Sequence, residues 1–247
     1  GAVAGGKGGG GGEPQAHSSA DANGQQDGGE PQAVDPAGTE TAEGLPEVTR
    51  EQVLGACTRV SGAMFAGSLV LRQIAAASGP RMLGTNAEDV ERLLQLPSSI
   101  NPEHVVAAIA TAAAVTGART ALLQVWPEFA EATDRSNGQV LPQLQPADLA
   151  LVAFLPGIAE ESLFRGALIP ALLPDWRGAL LAGAVFGVLH NTGGRNWAFS
   201  AWAAAVGSLY GALFLYTEDV TSPMLAHSLA NLASALLWLQ LRQDRAR

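Results

Sequence analysis

The chain has 247 residues, of which 47% are hydrophobic and only 15% charged, against roughly 25% charged in ordinary soluble domains. That depletion points to a membrane protein. Residues 1–49 hold eight acids against the single basic Lys7, so they supply most of the net charge of −9, and the remaining 15 acids and 13 arginines nearly balance. No basic stripe marks a nucleic-acid surface, and the lone Cys57 excludes an internal disulfide and any cysteine-rich metal site.

In chain order, residues 1–46 are rich in Gly, Ala, Gln, Pro and acids, and have no large aromatic side chain. This composition predicts a disordered acidic tail. It starts with Gly and lacks the Arg/Ser-rich, acid-poor character of a transit peptide, so a targeting segment upstream of it is expected. Residues 47–146 form an N-terminal helical region, with helices near 52–78 and 103–126. Arg72 and Arg119 interrupt them, so soluble or re-entrant helices compete with full spans.

Residues 147–241 form the core. An apolar run over 149–159 leads into Glu160-Glu161, residues 178–194 are a shorter uncharged run, and both segments are expected to span as helices packed by protein rather than by lipid. Residues 196–217 and 220–241 are each 22 residues without Asp, Glu, Lys or Arg. At about 1.5 Å per residue each can cross a hydrocarbon core of ~30 Å. Frequent Ala, Gly and Ser in these runs allow close helix approach in lipid. Residues 242–247 are a basic end carrying Arg242, Arg245 and Arg247, which share one side of the membrane with Arg195, the cytoplasmic or stromal side. The fold class read from these patterns is all-α, a multi-pass transmembrane helical bundle.

Ionised groups inside apolar segments are expensive and therefore usually functional. Glu160 and Glu161 have a plain reading as acids near a helix start after Pro156-Gly157, where the dipole favours them. Adjacent carboxylates on a helix point about 100° apart, so they need not share one task. Glu161 stands four residues before Arg165, the favourable order for an intrahelical ion pair, which leaves Glu160 free. Downstream, Phe186 with His190 and His227 with Asn231 each place two side chains at i, i+4 on one helix face. Taken singly, these are a core histidine, a packing phenylalanine and an interhelical hydrogen-bonding pair. Together, a carboxylate, two imidazoles and a carboxamide are the parts needed to activate water and stabilise an oxyanion.

The series Glu160-Glu161-x-x-x-Arg165, Phe186-x-x-x-His190 and His227-x-x-x-Asn231 resembles the CPBP intramembrane protease family, which includes the type II CAAX prenyl endopeptidases and bacteriocin-immunity proteins. The resemblance covers residues 147–241, and the text over 155–168 is similar to plastid members. It implies a CAAX prenyl protease 2-like endopeptidase that hydrolyses a membrane-associated protein or peptide without a covalent intermediate. In that family the residues matching Glu160 and His190 activate water, those matching His227 and Asn231 form the oxyanion site, and Glu161 and Arg165 hold the motif helix, with Phe186 as further support. The implied partners are membrane lipids and the protein substrate, and the implied location is a chloroplast membrane, with a bacterial-type plasma membrane as the alternative.

The mechanism is either glutamate-type or metallo-type. No His-Glu-x-x-His helix is present, yet two histidines and a glutamate suffice for a three-ligand zinc site. No metal or other cofactor is the favoured expectation, with zinc as the alternative. A second function class is a non-proteolytic membrane scaffold or protein-assembly factor built on the same fold. A small transporter would require corresponding broken helices in two halves, and no internal repeat stands out.

Overall fold

Nine helices follow one another in a computed structural model that describes the backbone of residues 47–82, 86–245 and 247, and the side chains of these except 78–82. All lie in one unit, Glu40–Arg247; the expected disordered tail over 1–46 lies outside the described residues. The helices are α1 (Arg50–Met82), α2 (Ala87–Leu94), α3 (Pro102–Val125), α4 (Pro127–Val140), α5 (Pro146–Leu163), α6 (Ile169–Leu172), α7 (Trp176–Leu189), α8 (Trp197–Thr217) and α9 (Thr221–Arg245). Among the described residues there is no strand, which agrees with the all-α reading.

Four of these, α1 up to Ala77, α3, α8 and α9, are long and apolar enough to cross a membrane. Their packing is that of helices in lipid, with small residues inside and large apolar ones outside. In α1 the buried positions are Ser61, Ser68 and Ala75, seven residues apart, while Phe65, Leu69, Val70 and Ile74 face outward. Where α3 meets α9, Ala108 and Ala112 pack with Ala226 and Ala230.

Local chemistry sets the helix ends. Asn101 accepts a hydrogen bond from the Glu103 amide and Pro102 occupies the first turn of α3, a good start because the proline lacks only a donor that would be orphaned there. Asn196 caps α8 in the same manner, accepting from the Phe199 amide at 3.0 Å. At the start of α5, Asp148 accepts from the Gln145 amide and takes both forks of Arg50, at 2.6 and 2.7 Å, which ties α1 to α5.

Three features depart from the sequence reading. Arg72 and Arg119 do not interrupt their helices. Arg72 is accommodated because its guanidinium donates to the carbonyls of Gly166, at 2.6 Å, and Leu94. The run over 178–194 is helical only to Leu189, and 14 residues at about 1.5 Å each fall short of a bilayer core. His190 caps it, and the chain then turns through Gly193 and Gly194 in left-handed backbone, φ +64° and +80°. Finally, α2 and α4 were not anticipated; their 8 and 14 residues are too short and polar to register as hydrophobic runs.

Candidate active site

α5 carries Pro156 inside it, and the chain continues after Leu163 through a π-helical turn, Phe164–Leu168, into α6. Such wide turns disturb the regular ladder and recur at functional sites. Gly157 lets α9 approach α5: a Cβ there would lie 2.6 Å from Ser228 Oγ and 3.1 Å from the Ser228 amide. A comparable contact joins α7 to α8, where a Cβ on Gly187 would meet the Ser200 carbonyl at 2.5 Å. Arg165, which lies over Phe186 of α7 and donates to the Gly207 carbonyl of α8, ties these two helix pairs together.

The centre of the cluster is Glu161, which is fully buried. Its Oε1 accepts from Arg165 Nη1 at 2.9 Å and from His227 Nδ1 at 2.8 Å. The expected Glu161–Arg165 pair is present, and it also bridges α5 to α9. Arg165, with no exposed surface, donates to the Gly207 carbonyl at 2.5 Å and lies among the rings of Phe164, Phe186 and Tyr210, 5.1–5.8 Å from their centroids. Glu161 Oε2 and Arg165 Nε have no hydrogen-bond partner among the described residues.

Glu160 points elsewhere, as the angle between neighbouring helical positions requires. It lines a cavity of about 360 Å³ together with Phe186, His190, His227 and Asn231. Its Oε2 is 3.8 Å from His227 Nε2, too long for a direct hydrogen bond. His190 caps the end of α7 rather than continuing it; its ring stacks obliquely on Phe186 at 4.1 Å and its Nδ1 donates to the Phe186 carbonyl at 2.7 Å. Asn231 Nδ2 makes a long, 3.5 Å contact with the Ala153 carbonyl, three residues before Pro156.

The hydrogen bonds set the tautomers. A carbonyl only accepts, so His190 carries its proton on Nδ1, and the Glu161 carboxylate, paired with Arg165, accepts from Nδ1 of His227 in the same way. Each neutral ring therefore turns a bare Nε2 to its surroundings, able to accept from water. His227 can donate to an oxyanion only as the imidazolium.

Two histidines and a carboxylate have the chemistry of a zinc site, but Glu160, His190 and His227 do not converge as a metal-holding group, and no other three of His, Cys, Asp or Glu among the described residues do so. The arrangement does not fit a three-ligand zinc centre.

Residues that the motifs did not mark also belong here. Tyr210 of α8 stacks on His227 with centroids 5.1 Å apart and lines the cavity; nothing in its sequence context signals this. Arg119 and Arg195 line it too. Arg119 had a signal, being the one charge between Glu103 and Glu128, but the sequence reading treated it as an interruption and treated Arg195 as a topology marker.

Comparison with known proteins finds that residues 142–233 match the family described as type II CAAX prenyl endopeptidase Rce1-like. Searches of curated proteins and of solved structures found no match. The match runs from the turn before α5 into α9 and includes all seven motif residues. With four helices long enough to cross a bilayer, it supports a multi-pass membrane protein whose segment 142–233 is similar to the type II CAAX prenyl endopeptidase Rce1-like family.

Proposed function

We propose that the chain is an intramembrane endopeptidase that hydrolyses a membrane-associated protein with water activated by Glu160. The observation that carries this reading is that Glu160, His190, His227 and Asn231, from three separate segments, line one cavity. Buried polar groups can be kept from lipid in other ways, but a carboxylate 3.8 Å from a bare imidazole nitrogen, in a cavity that a second histidine also lines, is what water activation needs.

In the reaction, water lies against Glu160 and accepting imidazole nitrogens. Two acceptors 3.8 Å apart, Glu160 Oε2 and His227 Nε2, suit one water donating to both, and His190 Nε2 is a further acceptor. As the water oxygen adds to the scissile carbonyl carbon, Glu160 takes its proton. The negative charge that develops on the carbonyl oxygen is met by the Asn231 amide. Glu160 then returns the proton to the leaving nitrogen, the C–N bond breaks, and an acid and an amine are released. No metal is required by this scheme.

The geometry favours His227 as a partner of Glu160 in holding water, in addition to the oxyanion role that the resemblance implies. The Glu161 carboxylate behind it fixes the ring. The membrane, on the similarity of residues 155–168 to plastid members, is a chloroplast membrane, which fractionation of plastids tests.

The direct experiment compares membrane proteins cleaved by the native chain and by Glu160→Gln. The amide keeps size and hydrogen bonding but cannot take the proton, so cleavage should fall by roughly 10²–10⁴-fold. Retained biological activity without cleavage would favour the scaffold reading.

A further inference from the structure

The same cavity holds two guanidinium groups that the water-activating set does not use. Arg119 comes from the last two turns of α3, and Arg195 from the loop between α7 and α8. Those ends are held together by α4, whose Phe129 packs between Trp126 at the end of α3 and Phe199 at the start of α8. Among the described residues neither arginine has a carboxylate within ion-pair distance. Arg195 lies over the Phe199 ring at 4.7 Å, and its Nε is buried with no hydrogen-bond partner.

Fully buried Arg165 is held by Glu161 and Gly207, although its Nε is likewise unpaired, and half-buried Arg72 is held by two carbonyls. Arg119 and Arg195 instead line one cavity together with Glu160 and form no ion pair there. With Glu161 and Arg165 paired, two guanidinium groups and the Glu160 carboxyl line the cavity wall. Two like charges facing one cavity, one with an orphaned donor, are costly unless an anion joins them.

We propose that Arg119 and Arg195 form an anion subsite that binds a carboxylate of the peptide substrate and so sets where the chain is cut relative to Glu160. The carboxylate is a free C-terminus or an acidic side chain, since both present the same planar pair of oxygens to a guanidinium fork. A peptide is the occupant because the subsite opens into the cavity of the hydrolytic groups and shares it with apolar Val115, Val152, Trp202 and Val206, which suit the flanking side chains. This inference rests on the endopeptidase reading.

The test uses the full chain in detergent, in the Glu160→Gln background so that nothing is cleaved. Three probes are titrated: an N-acetylated Ala/Leu pentapeptide with a free C-terminus, its C-terminal amide, and that amide carrying one internal aspartate. One or both acidic probes should bind roughly 10–100-fold more tightly than the neutral amide, the range for hydrogen bonds to charged groups. Which of them does so identifies the source of the carboxylate. Arg195→Gln and Arg119→Gln should each remove that preference while leaving the neutral amide's affinity unchanged, and Arg195→Lys should retain part of it. Equal binding of all three probes to the unaltered arginine pair overturns the subsite, even if the glutamine variants fail to fold. So does a preference that survives both glutamine variants, or an arginine-dependent gain in thermal stability from phosphatidylglycerol with no peptide preference, which would assign the site to lipid phosphate. Because binding is read without turnover, loss of the hydrolytic reading leaves this result standing; cleavage by the native chain with no carboxylate preference sinks the subsite alone.

Discussion

Glu160 and Glu161 are neighbours in sequence and opposites in surroundings. Glu161 faces the α5–α9 interface, with no exposed surface, and is saturated on one oxygen by Arg165 and His227. Glu160 faces the cavity, with His227 Nε2 3.8 Å from its carboxyl. One helical step of about 100° thus separates a carboxylate that builds the site from one that is free to work in it. Burial of charge in such a fold serves two ends, and hydrogen-bond saturation tells them apart.

The largest expected effect comes from erasing the structural side. Glu161→Gln leaves Arg165 buried without its charge partner and should cost about 3–5 kcal/mol of stability, measurable as lost folded yield and a lowered thermal midpoint in detergent. On the cavity side, Asn231→Ala removes one oxyanion donor. Turnover should fall by roughly 10²–10³-fold with a nearly unchanged midpoint, because that amide makes only a 3.5 Å contact in the resting structure.

A smaller effect sharpens how the two sides are joined. Gly157→Ala would drive a methyl to 2.6 Å from Ser228 Oγ, and separating α9 from α5 should cost about 1–3 kcal/mol while lengthening the Glu161–His227 bond. Cleavage assays and thermal unfolding on one preparation would show both losses together. The smallest effect is a control: Arg177→Ala breaks an exposed pair with Asp175 and should change stability by less than about 1 kcal/mol. Chelation followed by cleavage assay should change nothing, since no step of the scheme uses a metal; reversible loss of activity with stoichiometric zinc would replace the glutamate mechanism.

What was legible in the sequence follows from range. α8 and α9 were clear because their 22-residue uncharged runs need no knowledge of neighbours. α1 and α3 were ambiguous because the fate of an arginine in a helix depends on distant groups; Arg72 is satisfied by carbonyls 94 and 22 residues away in sequence. Within the site, residue types and the Glu161–Arg165 pair were legible from spacing of three and four. The second bond of Glu161, the tautomer of His227, the stacking of Tyr210 and the convergence of Arg119 with Arg195 were not, because each depends on which helices touch. The end of α7 at Leu189 was missed although Gly193-Gly194 carried the signal.

The central claim is that adjacent carboxylates divide structure from chemistry, and one paired measurement tests it: thermal unfolding and substrate cleavage for Glu160→Gln beside Glu161→Gln. The account predicts that Glu160→Gln unfolds at nearly the native midpoint and cleaves roughly 10²–10⁴-fold more slowly, while Glu161→Gln loses folded protein. Full cleavage by Glu160→Gln, or equal destabilisation of the two variants, would contradict it.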